Sequence, residues 1–495
     1  MKKTIIILTV LQITICNIVL SQSKRGKVWV HGGGISYKTI FEPNGIINTY
    51  LDTFYSPYFT SGNSNICDTN GNLILCSDGY NVYDSVGNYI DGGDTLVPKD
   101  HYLAKSGFSN YSQSSIFLPM DSNKYYFITP AFSDARYADC NVNYHCYFDL
   151  LLYNVIDMNA NGGAGKVVRR MEPLMENAEL RKTQMMACRH SNGKDWWLLK
   201  QAGDSNRIHK FLFQQDTVLD MGFQQFDEPM WGPWDITGMS TFNADGSKYA
   251  TTSHGGSTGQ IFLADFDRCY GIFTNPKVIY MPWGSEHLPP PYDTNAVERL
   301  AVGLAFSPNS ELLYVISRWN IYQYDLQYDT LFHVAGLDTT PYAFQSYDAS
   351  YMGPDGKLYI GNFAGLSKQM SRIDNPDVKG AGCNFCPRCL RVDSVYYWGG
   401  AGTPPCMPNY SLGAQECWPL SNEELKIKNE ELKVYPNPTS SKLIIENAKG
   451  KEKELYNMQG QLIISTKEDE IDVSRCSKGV YYIRCNGQVR KVVVE

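Results

Sequence analysis

The sequence predicts an all-β protein: a seven-bladed β-propeller followed by a small Ig-like antiparallel β-sandwich. Three observations lead to this fold class. A turn-then-strand pattern recurs six times through the middle of the chain, a second strand pattern follows the copies, and a new set of alternating strands begins near Lys433. The composition fits, because 34 tyrosines and 42 glycines in 495 residues are typical of strands joined by tight turns.

The repeated unit begins with a turn rich in Asp, Asn, Ser and Gly and continues as an apolar strand, as in DTNGNLILCSDG from Asp68. These turn residues supply local hydrogen bonds and tolerate positive φ. The turn positions are Gly71, Asn123, Gly193, Gly246, Ser310 and Gly356. They are 52, 70, 53, 64 and 46 residues apart, which is typical of propeller blades and too long for the coils of a β-solenoid, the alternative together with a two-sheet sandwich.

A second strand follows the turn units and often ends in aspartate, as in QIFLADFD and NIYQYDLQ. Each unit therefore holds a hairpin of inner strands plus a looser outer part. Residues 27–418 are long enough for seven such units, one more than the pattern shows. We expect KVWVHGGGISYKTIF near the start and VYYWGGAGTPPCMPNY near the finish to pair and close the ring, because closure removes open sheet edges.

The start of the chain has the features of a secretory signal peptide. Lys2 and Lys3 precede an apolar run that ends at Leu20, and cleavage is predicted before Gln22. The run is short and interrupted for a membrane anchor, so we expect no transmembrane segment after cleavage. The predicted organisation is a signal peptide at 1–21, the propeller at 22–418, a charged linker at 419–432 and a separate domain at 433–495.

Charge and cysteine usage limit the partners and the compartment. The formal net charge of −7 argues against nucleic acid, which selects for clustered Lys and Arg. Thirteen of the 14 cysteines lie beyond the leader, and an exported protein meets oxidising conditions, so disulfides are expected. Cys140 and Cys146 flank a short loop and are a candidate pair.

The stretch CNFCPRC places Cys383, Cys386 and Cys389 close together. With a fourth ligand, three cysteines at this spacing can hold zinc or an iron–sulfur cluster. Disulfides are favoured over metal outside the cell.

Three other motifs point to chemistry only weakly. Asp91 and Asp94 in IDGGD are an acid pair of the kind a glycosidase uses, but a lone acidic loop is more often solvated. HGGG at His31 resembles an oxyanion-hole motif but lacks a matching nucleophile elbow. The loop DMNANGGAGKVV from Asp157 resembles a calcium loop, yet Val168 stands where the bidentate acid belongs. We therefore predict no catalytic residue, no cofactor and no metal site.

The stretch EPMWGPWD holds two tryptophans outside the predicted strands. Trp231 and Trp234 are therefore the candidate residues of an exposed aromatic ligand loop. The competing interpretation is that tryptophans of a propeller pack between blades.

The middle of the chain resembles the N-terminal propeller of large exported proteins of Bacteroidetes-type bacteria. The stretches that carry this resemblance include ICDTNGNLILCSDG, AFSPNSELLYV, SRIDNPDVKGAGCNF and CMPNYSLG. The crowded CNFCPRC segment departs from the family pattern.

The last residues resemble the type A C-terminal sorting domain of the type IX secretion system. The matching positions are Tyr435, Pro436, Asn437, Pro438, Gly460, Gly479 and Tyr481. The resemblance implies the type IX translocon as a partner, passage through the periplasm, and a final place in the medium or on the outer-membrane surface. It also implies release of the protein or its attachment to surface lipopolysaccharide. An ordinary Ig-like binding module is the alternative.

For the propeller itself, we expect non-catalytic binding of a glycan or a protein through one end of the channel. Propellers host both binders and enzymes, so fold alone does not decide. A carbohydrate-active hydrolase or lyase would show convergent acids at the channel mouth. A structural or gliding-associated surface component would show an extensive apolar or self-complementary patch.

Overall fold

The structure is a computed structural model whose chain divides into two compact units, Met1–Gln415 and Glu416–Glu495. The described residues are 24–32, 36–51, 59, 61–104, 107–140, 146–227, 238–253, 260–281, 301–336, 346–362, 369–391, 403–417, 433–446, 448, 450–457, 462–485 and 488–495. The predicted signal peptide and linker lie outside these ranges.

In the N-terminal unit, the described residues form seven antiparallel sheets, each built from strands consecutive along the chain. Sheet 1 comprises β1 (Val28–His31), β2 (Ser36–Glu42) and β3 (Gly45–Leu51); sheet 2 comprises β4 (Ser64–Cys67), β5 (Leu73–Ser77) and β6 (Val82–Tyr83); sheet 3 comprises β7 (Ile116–Pro119), β8 (Lys124–Ala131), β9 (Leu150–Asp157) and β10 (Lys166–Met175).

The remaining sheets of this unit have four strands each. Sheet 4 comprises β11 (Leu180–Arg189), β12 (Trp196–Ala202), β13 (Arg207–Phe213) and β14 (Val218–Gln225); sheet 5 comprises β15 (Ser240–Phe242), β16 (Lys248–Ser253), β17 (Gln260–Asp267) and β18 (Ile272–Tyr280); sheet 6 comprises β19 (Ala301–Phe306), β20 (Leu312–Ser317), β21 (Asn320–Asp325) and β22 (Thr330–Gly336); sheet 7 comprises β23 (Tyr347–Met352), β24 (Leu358–Asn362), β25 (Gln369–Ile373) and β26 (Phe385–Arg391). Two short helices are present: α1 (Lys99–Ala104) lies between sheets 2 and 3, and α2 (Asp134–Cys140) lies between β8 and β9 of sheet 3. The all-β propeller class is thereby confirmed.

The six turn positions identified in the sequence each lie between the first and second strands of sheets 2 to 7. Gly71 has φ 92° and Ser310 has φ 61°, so the turn chemistry inferred from Asp, Asn, Ser and Gly is present. The second strand pattern forms the third strand of these sheets, as in β17 and β21.

In sheets 4 and 6, burial falls from the first strand to the last. β19 is buried along its whole length, whereas most of β14 is exposed. First strands of neighbouring sheets also lie side by side, since β4 contacts β1 and β7, and β19 contacts β15 and β23. This is the arrangement of radial sheets whose first strands line a common axis.

Among the described residues, the first and last sheets meet through a contact between their own strands. Trp29 of β1 packs edge-on against Tyr359 of β24, with ring centroids 5.2 Å apart. The described part of the finishing stretch forms a parallel bridge from Cys406 to Ser64 of sheet 2 and does not pair with β1. Residues 395–402 of that stretch lie outside the described residues, so the expected pairing of the two ends stays a prediction.

The C-terminal unit contains β27 (Lys433–Tyr435), β28 (Lys442–Glu446), β29 (Lys453–Asn457), β30 (Leu462–Thr466), β31 (Glu470–Asp472), β32 (Gly479–Cys485) and β33 (Gln488–Val494). They form two antiparallel sheets, ordered β27-β28-β31 and β30-β29-β32-β33. Tyr481, Ile483 and Cys485 are all buried, which confirms that alternation places them on one face.

Among the described residues, we find no helix with the length and apolarity needed to cross a membrane.

Candidate functional site

A segment that follows sheet 7, Thr403–Gln415, runs along the inner strands; we call it the axial segment. Its hydrogen-bond partners include Asn63, Phe117, Ser191, Ala244 and Asp348, which lie in or beside five different sheets. The axis is therefore occupied by the chain itself.

One end of the axial segment is held by a buried acid. The carboxylate of Asp348 accepts hydrogen bonds from the hydroxyls of Thr403, at 3.0 Å, and Ser61, at 3.1 Å. Burial raises the pKa of Asp348 above its usual value. A perturbed acid is what a hydrolase would display, but here the two hydroxyl partners join sheet 7 to the axial segment and to the residues just before sheet 2.

A second cross-axis contact lies among the same inner strands. The side-chain amide of Gln113, in the loop before sheet 3, donates to the Ser240 carbonyl at 2.7 Å and accepts from the Ser240 amide at 2.7 Å. These paired bonds tie sheet 3 to sheet 5 across the channel. They satisfy polar groups that burial would otherwise leave without partners.

A cavity of about 610 Å³ lies between the axial segment and the first strands of sheets 4 to 7. Its apolar lining combines four methionines with aromatic rings: Met186, Met239, Met352, Met407, Trp29, Phe306, Tyr351 and Tyr410. The volume falls in the range of roughly 300–1,000 Å³ that ligand sites occupy. This cavity is the candidate functional site.

Two polar residues on the cavity wall, Asn243 and Asp245, are already used by the turn that carries them, whereas the buried Ser350 hydroxyl has no hydrogen-bond partner among the described residues. The side-chain oxygen of Asn243 accepts the Lys248 amide hydrogen, and Asp245 accepts that of Ser247. Partial burial acts to raise the pKa of Asp245, but the Ser247 hydrogen bonds outweigh it and hold the pKa below its usual value. The surface offered to a ligand is mainly thioether, aliphatic and aromatic.

Arg268 fastens the axial segment over this cavity. Its guanidinium donates to the carbonyl oxygens of Gly413 at 2.6 Å, Arg189 at 2.8 Å and Asp245 at 3.1 Å. Burial lowers the pKa of this guanidinium. The bonds join the segment to sheets 4 and 5, so the cavity wall is fixed in place.

The predicted aromatic ligand loop, Trp231 and Trp234, lies outside the described residues and stays a prediction. The cavity residues are not predicted from the sequence because they come from six separate stretches. The sequence signal near them is CMPNYSLG, which holds Met407 and Tyr410 and belongs to the stretches that carry the resemblance of the middle of the chain.

The acid pair of IDGGD is tied up in exposed ion pairs. Asp91 contacts Lys166 at 2.8 Å, and Asp94 contacts Arg170 at 3.8 Å. The two carboxylates thus face separate cations on the rim of sheet 3. This placement gives no support to a glycosidase pair.

The side chains of the HGGG motif and of the calcium-like loop take part in local hydrogen bonds. His31 is buried, with its Nε2 atom 2.7 Å from the Thr39 hydroxyl. The carboxylate of Asp157 accepts the Asn159 amide hydrogen, as in a tight turn. Within the described ranges, no cluster of three or more His, Cys, Asp or Glu is placed to hold a metal ion.

The cysteines divide into bonded and free groups. Cys146, Cys269 and Cys417 are disulfide-bonded. The side chain of Cys140 lies outside the described residues, so its pairing with Cys146 stays a prediction. Cys383, Cys386 and Cys389 are free thiols.

In the C-terminal unit, the residues that matched the sorting motif fasten the start of the domain to its last strand. The Asn437 side chain donates to the Lys491 carbonyl at 2.7 Å and accepts the Val493 amide hydrogen at 2.8 Å. The Tyr481 hydroxyl donates to the Ser477 carbonyl. Pro436 and Pro438 flank Asn437, and Gly460 lies outside the described residues.

Replacement of Asn437 should loosen this attachment. We expect Asn437→Ala to lower the unfolding free energy of a C-terminal unit by about 1 kcal/mol, the net value of exposed hydrogen bonds of this kind. Thermal unfolding of the isolated unit by circular dichroism measures the change. The exposed neighbour Ser440→Ala is the matched control, and an equal loss in both variants would contradict the assignment.

Comparisons with known proteins give different results for the two units. Residues 433–495 match the family model described as the secretion system C-terminal sorting domain. No curated protein matches the sequence. A proposed 6-phosphogluconolactonase from Bacteroides fragilis is 12% identical, with 77% of this chain and 97% of that chain covered and a TM-score of 0.42. A periplasmic gluconolactonase from Pseudomonas aeruginosa is 10% identical, with 78% and 90% covered and a TM-score of 0.37. Likenesses this distant say nothing about the activity of this chain.

The sorting domain indicates export by the type IX secretion system, because this domain is the C-terminal signal that the system recognises. The seven radial sheets precede it in the same chain. This chain is thus a β-propeller protein that carries a secretion system C-terminal sorting domain and is exported by the type IX system to the cell surface or the extracellular space.

Proposed function

We propose that this exported propeller is a non-catalytic binding protein that takes up an apolar part of its ligand in the cavity beside the axial segment. The observation that carries the proposal is the cavity of about 610 Å³ with its four methionines and its aromatic rings. Methionine surfaces adapt to differently shaped apolar groups, so they suit recognition. They offer no group for acid–base or nucleophilic chemistry.

The lining favours a protein ligand over a glycan. A sugar needs several hydrogen-bonding partners, whereas the polar wall residues Asn243 and Asp245 already serve their own turns. An apolar side chain of a protein needs only a shaped, dry surface. We therefore place a protein ligand first and a glycan second.

Export fits a role outside the cell. In this proposal the predicted leader, residues 1–21, directs the chain to the periplasm, and the sorting domain then passes it to the translocon. The exported propeller is either released or attached to surface lipopolysaccharide.

A binding array of extracellular proteins and glycans, probed with the purified protein, tests the proposal. We expect saturable, selective capture that Met407→Lys weakens by at least about tenfold, because a lysine charge buried in an apolar site is costly. Met221→Lys on the exposed outer strand of sheet 4 is the matched control and should leave capture unchanged.

Other outcomes would overturn the proposal. Turnover of a captured glycan would favour a carbohydrate-active hydrolase or lyase instead. Self-association without any ligand would favour a structural or gliding-associated surface component. Equal capture by the Met407 and Met221 variants would place the binding site elsewhere.

A further inference from the structure

Two cysteines lie on the outermost strand of sheet 7. Cys386 and Cys389 both belong to β26, with Pro387 and Arg388 between them. Cys389 is exposed and Cys386 is half-buried, and both are free thiols. Reagents in the medium can therefore reach this pair.

In a regular strand, residues three apart point to opposite faces of the sheet. β26 is not regular at this point. Arg372 pairs with Cys386 and Met370 pairs with Leu390, so three residues of β26 stand opposite one residue of β25. Arg388 has φ 53°, and its amide donates to the Ser371 hydroxyl at 3.1 Å. This bulge reverses the alternation and brings the two cysteine side chains to the same side.

The two thiols lie close enough to affect each other. Partial burial, followed by the neighbouring Cys386 thiol, raises the pKa of Cys389 to about 12, so Cys389 stays protonated at neutral pH. The bulge thus places the two thiols near each other before any bond forms.

We propose that Cys386 and Cys389 are a thiol–disulfide exchange site that reacts with a disulfide co-reactant from the oxidising medium. First, the Cys386 sulfur, after losing its proton to water, attacks one sulfur of the co-reactant. This forms a mixed disulfide and releases one thiol. The Cys389 sulfur then displaces the second half, and its proton goes to the leaving thiolate.

The reaction balances in atoms and electrons. Two thiols of this chain are oxidised to one disulfide, and one disulfide of the co-reactant is reduced to two thiols. No metal or enzyme is required. A thiol reductant reverses both steps.

The third cysteine of CNFCPRC is separate from this chemistry. Cys383 is buried in the same hydrophobic cluster as Tyr314 of β20. It lies before β26, on the side of sheet 6, so a reagent in solution meets the other two first.

A bond across the bulge would also secure the edge of the sheet. β26 ends the order β23-β24-β25-β26 among the described residues, and an open edge invites pairing with another chain. A bulge makes an edge strand less able to pair with another chain, and a disulfide would hold the bulge of β26 in place.

Peptide mapping of the folded protein tests the proposal. The protein is incubated with oxidised glutathione, free thiols are blocked with N-ethylmaleimide, and trypsin is added. Trypsin cuts after Arg388, between the two cysteines, so a disulfide leaves peptide 380–388 linked to peptide 389–391. We expect this linked pair, with Cys386 as the linked residue in the fragment spectrum, and we expect dithiothreitol to separate it.

Two variants sharpen the mapping. Cys383→Ser should keep the linked pair, and Cys386→Ser should abolish it. Recovery of both Cys386 and Cys389 as maleimide adducts after glutathione treatment of the unmutated protein would overturn the proposal. A link from Cys389 to Cys383, or release of zinc when the thiols are blocked, would overturn it as well.

Discussion

Removal of residues 433–495 is expected to reduce the protein in the medium and on the cell surface to background, with the propeller retained in the periplasm. The sorting domain has its own core, which includes Leu455, Ile471 and Ile483. The seven sheets of the N-terminal unit have theirs, so truncation should spare the fold of the propeller. Immunoblots of medium, surface and periplasmic fractions measure the distribution.

Two point variants test whether export requires the C-terminal unit to be folded or only requires residues 433–495 to be present. Ile483→Asp puts a charge into the core of the C-terminal unit and should block export as the deletion does. Ile444→Asp changes an exposed residue of the same unit and should leave export intact. Normal export of the truncated chain would contradict the assignment of residues 433–495 as the address.

Trp29→Ala is expected to destabilise the propeller by about 3–5 kcal/mol, the usual cost of deleting a buried tryptophan side chain. Trp29 is 2% exposed and packs on Phe41 at 4.8 Å and Tyr359 at 5.2 Å between ring centroids. The second contact joins the first sheet to the last, so its loss weakens the closure of the ring. Urea unfolding followed by tryptophan fluorescence or circular dichroism gives the change.

The matched control for this prediction is Phe332→Ala on the outer strand of sheet 6. Phe332 is 39% exposed, and a surface change of this kind should stay within about 0.5 kcal/mol. Equal destabilisation by the two variants would mean that the contact between sheets 1 and 7 does not hold the ring.

Much of the fold could be predicted because its signals are local. A turn such as that at Gly71 or Gly356 is specified by neighbouring residues, and the strands on either side follow an apolar pattern. The sorting domain could also be predicted from the sequence, since Tyr435 to Pro438 and the run from Gly479 to Tyr481 form an ordered set of short motifs.

The candidate site could not be predicted in this way. Met186 and Met407 are 221 residues apart, and each looks like an ordinary core residue. They share a cavity only because the axial segment returns along the first strands of sheets 4 to 7. Similarly, the spacing of Cys386 and Cys389 in a regular strand would point them apart, and only the bulge opposite Ser371 brings them together.

The sequence by itself determined the strands, the repeat, the propeller class and the export address, because neighbouring residues encode turns, alternation and short motifs. The tertiary structure alone decided that the axis is filled by residues 403–415, that Asp348 holds one end of this segment by hydrogen bonds, and that apolar side chains enclose a cavity. These features arise from contacts between residues that are tens to hundreds of positions apart, and no local pattern in the sequence encodes such contacts.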